Sequence, residues 1–170
     1  MDRKLFQEVN QRLNLLESSL PERVDPASIS MVAKLPYKAV SYRENLIWRM
    51  AELTRSSFKS FQEEKLAVAI LLARATMETA AAMWFLWDAI NRAVKNSDVT
   101  KTDDIVMRLL LGWRKQSTDD ESLLPSAIHI MEFLRCVDKE IKGFLDQYEF
   151  LSEYAHPNWS GTGGLYGRDD

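Results

Sequence analysis

The stretch LAVAILLARATMETAAAMWFLWDAI, from Leu66 to Ile90, is the most apolar part of this 170-residue chain and decides its fold. It is apolar on more than one face, which is typical of a helix in the middle of a bundle. Arg74, Glu78 and Asp88 interrupt it, so the pattern favours a bundle core over a membrane span. We therefore expect the following side chains to be buried: Ile70, Met77, Ala81, Trp84 and Phe85.

Helical periodicity continues on both sides of this segment, without the alternation that is typical of strands. Thr100 and Asp103 have the spacing of a capping box, and residues 138–143 are compatible with either a bend or continuous helix. The predicted helices span residues 2–20, 36–61, 62–96, 102–111, 123–137 and 142–155. The sequence therefore predicts an all-α bundle of five or six helices. It predicts one helical domain over residues 1–160 and a glycine-rich C-terminal tail over residues 161–170.

Composition excludes several classes of protein. Hydrophobic residues make up 46% of the chain, which is enough for a core, and the net charge of -3 is not that of a duplex-binding module. The single cysteine, Cys136, leaves no internal disulfide and fits a reducing compartment. The charged N-terminus is unlike a signal peptide, so we expect a cytoplasmic protein without a membrane partner. The two histidines, His129 and His156, are far apart, so we expect no metal site and no cofactor.

The segment YEFLSEYAHPNW, from Tyr148 to Trp159, is the best place in the sequence to look for a polar site. Proline disfavours α conformation in the residue before it, so the helix should end at His156. Glu149 and Ser152 share a helix face with His156, and Asn158 follows it. Two interpretations stay open. His156 acts as a general acid beside ligand-binding Ser152, Glu149 and Asn158, or His156 and Asn158 cap the free carbonyls of the helix.

Arg74 and Glu78 are the second candidate pair, because they lie four residues apart on the most apolar helix. A buried charge requires a partner, and each residue can serve the other. The order of arginine before glutamate is the weaker one for a local pair, which leaves Arg74 free to reach another helix near Glu149 and Glu153. The pair is either a structural ion pair or, with His156, part of a catalytic site.

Two other patterns have a simpler explanation. Aromatic residues from Met83 to Trp87 resemble a stacking site, but at this density on a central helix they are more typical of core packing. Cys136 lies among apolar residues, which predicts a buried and inert thiol. His129 has no polar neighbours in sequence, and we interpret it as a packed or surface histidine.

Two segments resemble an uncharacterised family of bacterial helical proteins with the motif Y-x-x-L-S-E-[FY]-x-H-P-N. They are Ala67 to Ala80, which contains LARATMETA, and Tyr148 to Trp159. Lys34 to Ala39 (KLPYKA) and Arg43 to Arg49 (RENLIWR) are similar to the same family. The resemblance covers most of the chain from Lys34 to Tyr166 and implies no established function.

More distantly, an all-α chain with a histidine at the end of its last long helix resembles the HEPN superfamily. That resemblance implies a helical bundle, a dimer and, in many members, a metal-independent ribonuclease of bacterial defence systems. The usual signature of those proteins is arginine, four to six residues and then histidine. This chain has Glu149, Phe150 and Leu151 at the corresponding positions and no arginine there, which indicates a non-catalytic relative.

Three functions follow from these patterns. The first is a cytoplasmic helical binding or interaction module, acting in bacterial defence or stress, with a protein partner or a second copy of itself. The second is a ribonuclease acting on RNA, in which His156 is the acid or base and Arg74 stabilises phosphate charge. The third is a structural partner of a neighbouring protein.

Overall fold

A computed structural model describes residues 3–113 and 124–167 of the chain. Helices make up most of this described part, and no strand is present in it. Their bounds in chain order are α1 Arg3–Ser18, α2 Pro26–Ile29, α3 Lys34–Gln62, α4 Leu66–Asn96, α5 Val99–Leu111, α6 Ile130–Asp138, α7 Phe144–Ala155 and α8 Gly163–Tyr166. The predicted all-α fold is confirmed. Six of these helices are long, whereas α2 and α8 are single turns of four residues.

Helix α4 lies at the centre, in contact with α3, α5, α6 and α7. Its buried positions next to these helices are small residues such as Ala69, Ala81 and Ala82, which allow neighbouring backbones to come close. The main core joins α4 to α6 and α7 around Leu134, which has no exposed surface. A smaller cluster around Val106 joins α3, α4 and α5.

The central helix is more exposed than the sequence predicts. Ala81 is fully buried as expected, but the other four side chains of that prediction are only partly buried. They are Ile70, Met77, Trp84 and Phe85. Met77, Trp84 and Phe85 still pack against the main core. The four neighbouring helices of the described part do not cover every side of α4, however, and one apolar side that includes Trp84 stays open.

Within the described residues, α4 is the one helix that is long and apolar enough to cross a membrane. Its most apolar stretch has a mean hydropathy of 1.5. The core helix of a bundle can have the same length and composition, and α4 packs against four helices of this chain.

The start of α5 differs from the prediction. The helix begins at Val99, and the Asp98 carboxylate caps it by accepting a hydrogen bond of 3.1 Å from the Lys101 backbone N–H. Thr102 is buried and its hydroxyl donates to the Asp98 carbonyl. The predicted capping box of Thr100 and Asp103 is wrong, because Asp98 takes the capping position two residues earlier.

The start of α6 also differs. The sequence predicted helix from residue 123, which lies outside the described residues, yet residues 124–129 are not helical. The Trp113 N–H donates to the Pro125 carbonyl at 3.0 Å, and the Ala127 N–H donates to the Trp113 carbonyl at 3.3 Å. This short extended pairing uses the backbone groups that a helix would need. The helix begins at Ile130, where the exposed His129 is the cap and its Nδ1 accepts from the Met131 N–H.

The chain turns sharply between α6 and α7. Gly143 has φ of 85°, a left-handed conformation that glycine adopts at little cost. The Asp138 carboxylate accepts a hydrogen bond of 3.2 Å from the Leu145 N–H, in the first turn of α7. Of the two possibilities for this segment, the bend is the one observed. This bend directs α7 back along α4, and Tyr148 of α7 is buried in the main core.

The segment after α7 folds back on the helix end. Gly161 donates its N–H to the Asn158 side chain at 3.0 Å, and a Cβ atom on Gly161 would overlap the His156 carbonyl oxygen. Helix α8 follows directly, and residues 168–170 lie outside the described part. The division between a domain and a tail at residue 161 stays a prediction.

The core cluster can be tested at Leu134. Replacing it with alanine should lower the free energy of unfolding by about 2–5 kcal/mol, because the side chain is fully buried. Leu15, which is 64% exposed, is the matched control, and its alanine variant should differ from wild type by less than about 0.5 kcal/mol in urea unfolding. Equal losses for both variants would contradict the core described here.

Candidate functional site

Arg74 and Glu78 of α4 meet Tyr148 of α7 in one hydrogen-bonded network. Arg74 donates through a terminal guanidinium nitrogen to the Tyr148 hydroxyl at 2.7 Å, and that hydroxyl donates to Glu78 Oε1 at 2.8 Å. The same guanidinium nitrogen lies 3.5 Å from Glu78 Oε1. The two charged side chains are 30% and 32% exposed, whereas Tyr148 is 5% exposed. The phenol therefore joins two charges at the edge of the core.

The environment of Tyr148 favours its neutral form. Burial is the largest influence and raises the pKa of the phenol, and the hydrogen bond to Glu78 raises it further. The hydrogen bond from Arg74 acts in the opposite direction. The guanidinium carbon also lies 5.0 Å from the centre of the Tyr148 ring, within cation–π distance. Arg74 Nε is buried and has no hydrogen-bond partner among the described residues, so only a terminal nitrogen of this guanidinium is held by a hydrogen bond.

Glu78 also lines an open cavity of mixed polar and apolar character between α3, α4 and α5. Its volume is about 380 Å³, and we call it the Arg49 cavity. Arg49 donates through Nε to the Thr79 hydroxyl at 3.2 Å, and Thr79 donates to the Ala75 carbonyl. Thr79 therefore fixes the direction of the guanidinium. The polar side chains that line the cavity are Tyr42, Asn45, Arg49, Glu78 and Thr79.

Tyr42 is also affected by its place in this cavity. Burial raises the pKa of its phenol, and the positive charge of Arg49 partly offsets that rise. The offset indicates that the guanidinium is near the hydroxyl. Tyr42, Asn45 and Arg49 follow one another at intervals of three and four on α3, so they share one face of that helix.

His156 lies away from both groups. It ends α7 with an extended backbone (φ -86°, ψ 149°), so the predicted helix end at His156 is confirmed. The side chain is exposed, and within the described residues no hydrogen bond or ion pair joins it to Arg74 or Glu78. Eight residues separate it from Tyr148, which is about 12 Å along a helix.

The three neighbours proposed for ligand binding are engaged in local contacts or exposed. Ser152 donates to the Tyr148 carbonyl at 2.8 Å, and Asn158 donates to Glu153 at 2.6 Å. Glu149 is exposed. The Asn158 side chain binds Glu153 and Gly161 instead of helix carbonyls, so the detailed capping arrangement is not the one expected. Asn158 organises the turn after α7, whereas the Ser152 contact lies within the helix.

Sequence reasoning anticipated part of the Arg74 network. It placed the partner of Arg74 on α7, but at Glu149 or Glu153, and it missed Tyr148. The signal was available, because Tyr148 lies on the apolar face of α7 and carries one hydroxyl that needs a partner when buried. Arg49 was missed because one arginine on a largely polar helix face has no distinguishing pattern.

Two further candidates have structural roles. Cys136 is buried, and burial together with the nearby Asp88 carboxylate raises the pKa of its thiol. The aromatic cluster contributes to packing at Phe85, which lies against Phe133, and at Trp84, which lies against Trp87, both at ring-centre distances of 5.0 Å. Trp87 itself is 55% exposed, so the core interpretation is wrong for that residue. No group of three or more side chains suited to a metal ion is found among residues 3–113 and 124–167.

The network predicts a specific cost at Tyr148. Phenylalanine at this position leaves Arg74 and Glu78 without their shared partner and should lower the free energy of unfolding by about 1–3 kcal/mol. Tyr166, which is 62% exposed, is the matched control, and its phenylalanine variant should be neutral in urea unfolding at pH 7. A neutral Tyr148→Phe variant would show that the network contributes no stability.

The raised pKa of Tyr148 predicts a loss of stability at alkaline pH. The folded state holds the phenolic proton more tightly than the unfolded state, whose tyrosines titrate near 10.0. Stability from this group is therefore complete below pH 10 and is lost as the pH rises through the folded-state pKa. Thermal unfolding between pH 8 and about 11 should show a smaller alkaline loss in Tyr148→Phe than in wild type. Identical profiles would contradict the raised pKa.

Comparison with known proteins adds no relative to this description. No protein-family model, no curated protein and no solved structure matches the chain.

Proposed function

We propose that this chain is a helical interaction module that pairs with a second copy of itself through an open apolar face of α3 and α4. The observation that carries this proposal is an uncovered groove of about 450 Å³ between the two helices. Among its lining residues, Trp87 is 55% exposed and Ile90 is 36% exposed. Large apolar side chains that are exposed to solvent in a continuous patch are typical of interaction sites.

Both helices present residues on this face at alternating intervals of three and four, and most of these residues are apolar. On α4 the row is Thr76, Ala80, Met83, Trp87, Ile90 and Val94. On α3 it is Val40, Arg43, Ile47, Met50 and Thr54. Such spacing suits side-by-side packing of long helices. Two such helix pairs related by a two-fold axis would form a four-helix bundle.

Charge on the face is compatible with self-association. Arg43 is the single charged residue in these two rows. Its Nε donates to Glu44 at 2.7 Å, and Glu44 is 8% exposed. Because the arginine is neutralised within its own chain, two copies of the face can meet without strong repulsion between like charges.

The size of the face suggests a weak dimer. The row on α4 spans 19 residues from Thr76 to Val94, about 27 Å along the helix. Two packed helices are about 20 Å wide, so each copy would bury about 500 Å², or about 1,000 Å² in total. This buried area lies at the lower end of specific interfaces, and we expect a dissociation constant in the micromolar range.

The single cysteine, Cys136, is consistent with a reducing compartment, and we propose that the protein is located in the cytoplasm.

The ribonuclease alternative has less support. Arg74 is engaged with Tyr148 and Glu78, whereas His156 lies about two turns further along α7 and is exposed. We expect no degradation of single-stranded RNA in EDTA, and a His156→Ala variant with nearly unchanged thermal stability. Cleavage by wild type that disappears in both His156→Ala and Arg74→Ala would favour the enzyme over the interaction module.

The dimer is tested by light scattering at tens of micromolar protein. Wild type should give twice the chain mass, and Trp87→Glu should give the monomer mass, because a carboxylate would be buried without a partner. Trp159→Glu is the matched control, since Trp159 is 77% exposed but lies beyond α7. It should remain a dimer.

Two outcomes would overturn this proposal. One is a wild-type monomer at all concentrations up to several hundred micromolar. The other is a monomer that floats with vesicles of phosphatidylcholine and phosphatidylglycerol but whose Trp87→Glu variant does not, which would assign the face to a lipid surface.

A further inference from the structure

The Arg49 cavity brings two opposite charges to one opening without pairing them. Arg49 of α3 and Glu78 of α4 both line it, yet among the described residues no ion pair joins them. Arg49 is exposed, and its hydrogen bond to Thr79 uses only Nε. The two terminal nitrogens of the guanidinium, which form the fork that binds carboxylates, are therefore available.

Other donors lie beside this guanidinium. The Tyr42 hydroxyl and the Asn45 amide share its face of α3 and line the same cavity. The described residues provide neither group with a side-chain hydrogen-bond partner. A guanidinium fork, a phenol and an amide that converge on one opening are suited to a small anionic group such as a carboxylate.

Glu78 provides a negatively charged acceptor at the same cavity. Its Oε1 accepts the hydrogen bond from Tyr148 and lies near Arg74, so that oxygen is fixed in place. Among the described residues no hydrogen bond engages Oε2. The Tyr148 network thus holds a carboxylate at the cavity with one oxygen free to accept a hydrogen bond, and an amine of a ligand would supply it.

We propose that the Arg49 cavity binds a small amino acid with an apolar side chain. The carboxylate would lie on Arg49, Tyr42 and Asn45, and the ammonium would donate to Glu78. The remaining wall is apolar, from Leu46, Ala82 and Leu110, and matches an aliphatic side chain. The volume of about 380 Å³ is at the small end of ligand sites.

This site is independent of the proposed dimer. Arg49 and Asn45 point to a different side of α3 from Arg43 and Met50, because the separations across the two pairs are one, two, five and six positions, which differ by about 100° to 160° around the helix. Loss of the dimer in Trp87→Glu should leave ligand binding unchanged, so the two proposals can fail separately.

The test is an NMR titration of ¹⁵N-labelled protein with L-leucine and with 4-methylpentanoate, which has the same carbon skeleton without the amine. Wild type should bind L-leucine at least about tenfold more tightly, because the ammonium adds a charge-assisted hydrogen bond. Arg49→Gln should weaken both ligands by about tenfold or more, whereas Glu78→Gln should weaken L-leucine alone. Arg135→Gln, an exposed arginine on α6, is the matched control and should bind as wild type does.

Three results would overturn the proposal. They are the absence of saturable shifts with L-leucine up to about tenfold molar excess at millimolar concentration, equal binding of the two ligands by wild type, and unchanged binding in Arg49→Gln. The comparison of the two ligands on wild type needs no variant, so the test remains decisive if Glu78→Gln does not fold.

Discussion

Helix α4 must bury an apolar surface that extends around most of its circumference, and this requirement organises the rest of the chain. One neighbouring helix cannot cover this much apolar surface, so α3, α5, α6 and α7 all pack against α4. Its alanines at Ala69, Ala81 and Ala82 let those neighbours approach closely. Four helices still leave one side open, and that side carries Trp87 and Ile90. The proposed dimer would cover this open side.

The charges within α4 impose a second constraint. Arg74 and Glu78 lie where the helix meets α7, and a partly buried pair with poor local geometry needs further hydrogen bonds. Tyr148 supplies them through one hydroxyl that both accepts and donates. The same contact fixes where α7 docks and holds Glu78 beside the Arg49 cavity. A structural network and a candidate ligand site therefore share one carboxylate.

Much of the fold was predictable from sequence because helical periodicity is a local property. The long helices and the helix end before Pro157 follow from spacing and proline alone. The predicted helix starts were wrong where competing contacts, or contacts between residues distant in sequence, determine where a helix begins. Asp98 replaced Thr100 as a cap, and backbone pairing with Trp113 removed the first turns predicted for α6. The contact of Arg49 with Thr79 depends on three-dimensional packing and left no pattern in the sequence. For Tyr148 the sequence indicated that a buried hydroxyl needs a partner, but only the packing of α7 on α4 identifies that partner as Arg74.

The central claim is that the open side of α4 is covered by a second copy of the chain. The most direct measurement is ¹⁹F NMR of protein labelled at its tryptophans, recorded from micromolar to several hundred micromolar concentration. The resonance of Trp87, assigned by substitution, should shift with concentration, while that of Trp159 should not. A Trp87 resonance that stays constant over this range, with the same position as in the Ile90→Lys variant, would contradict the account.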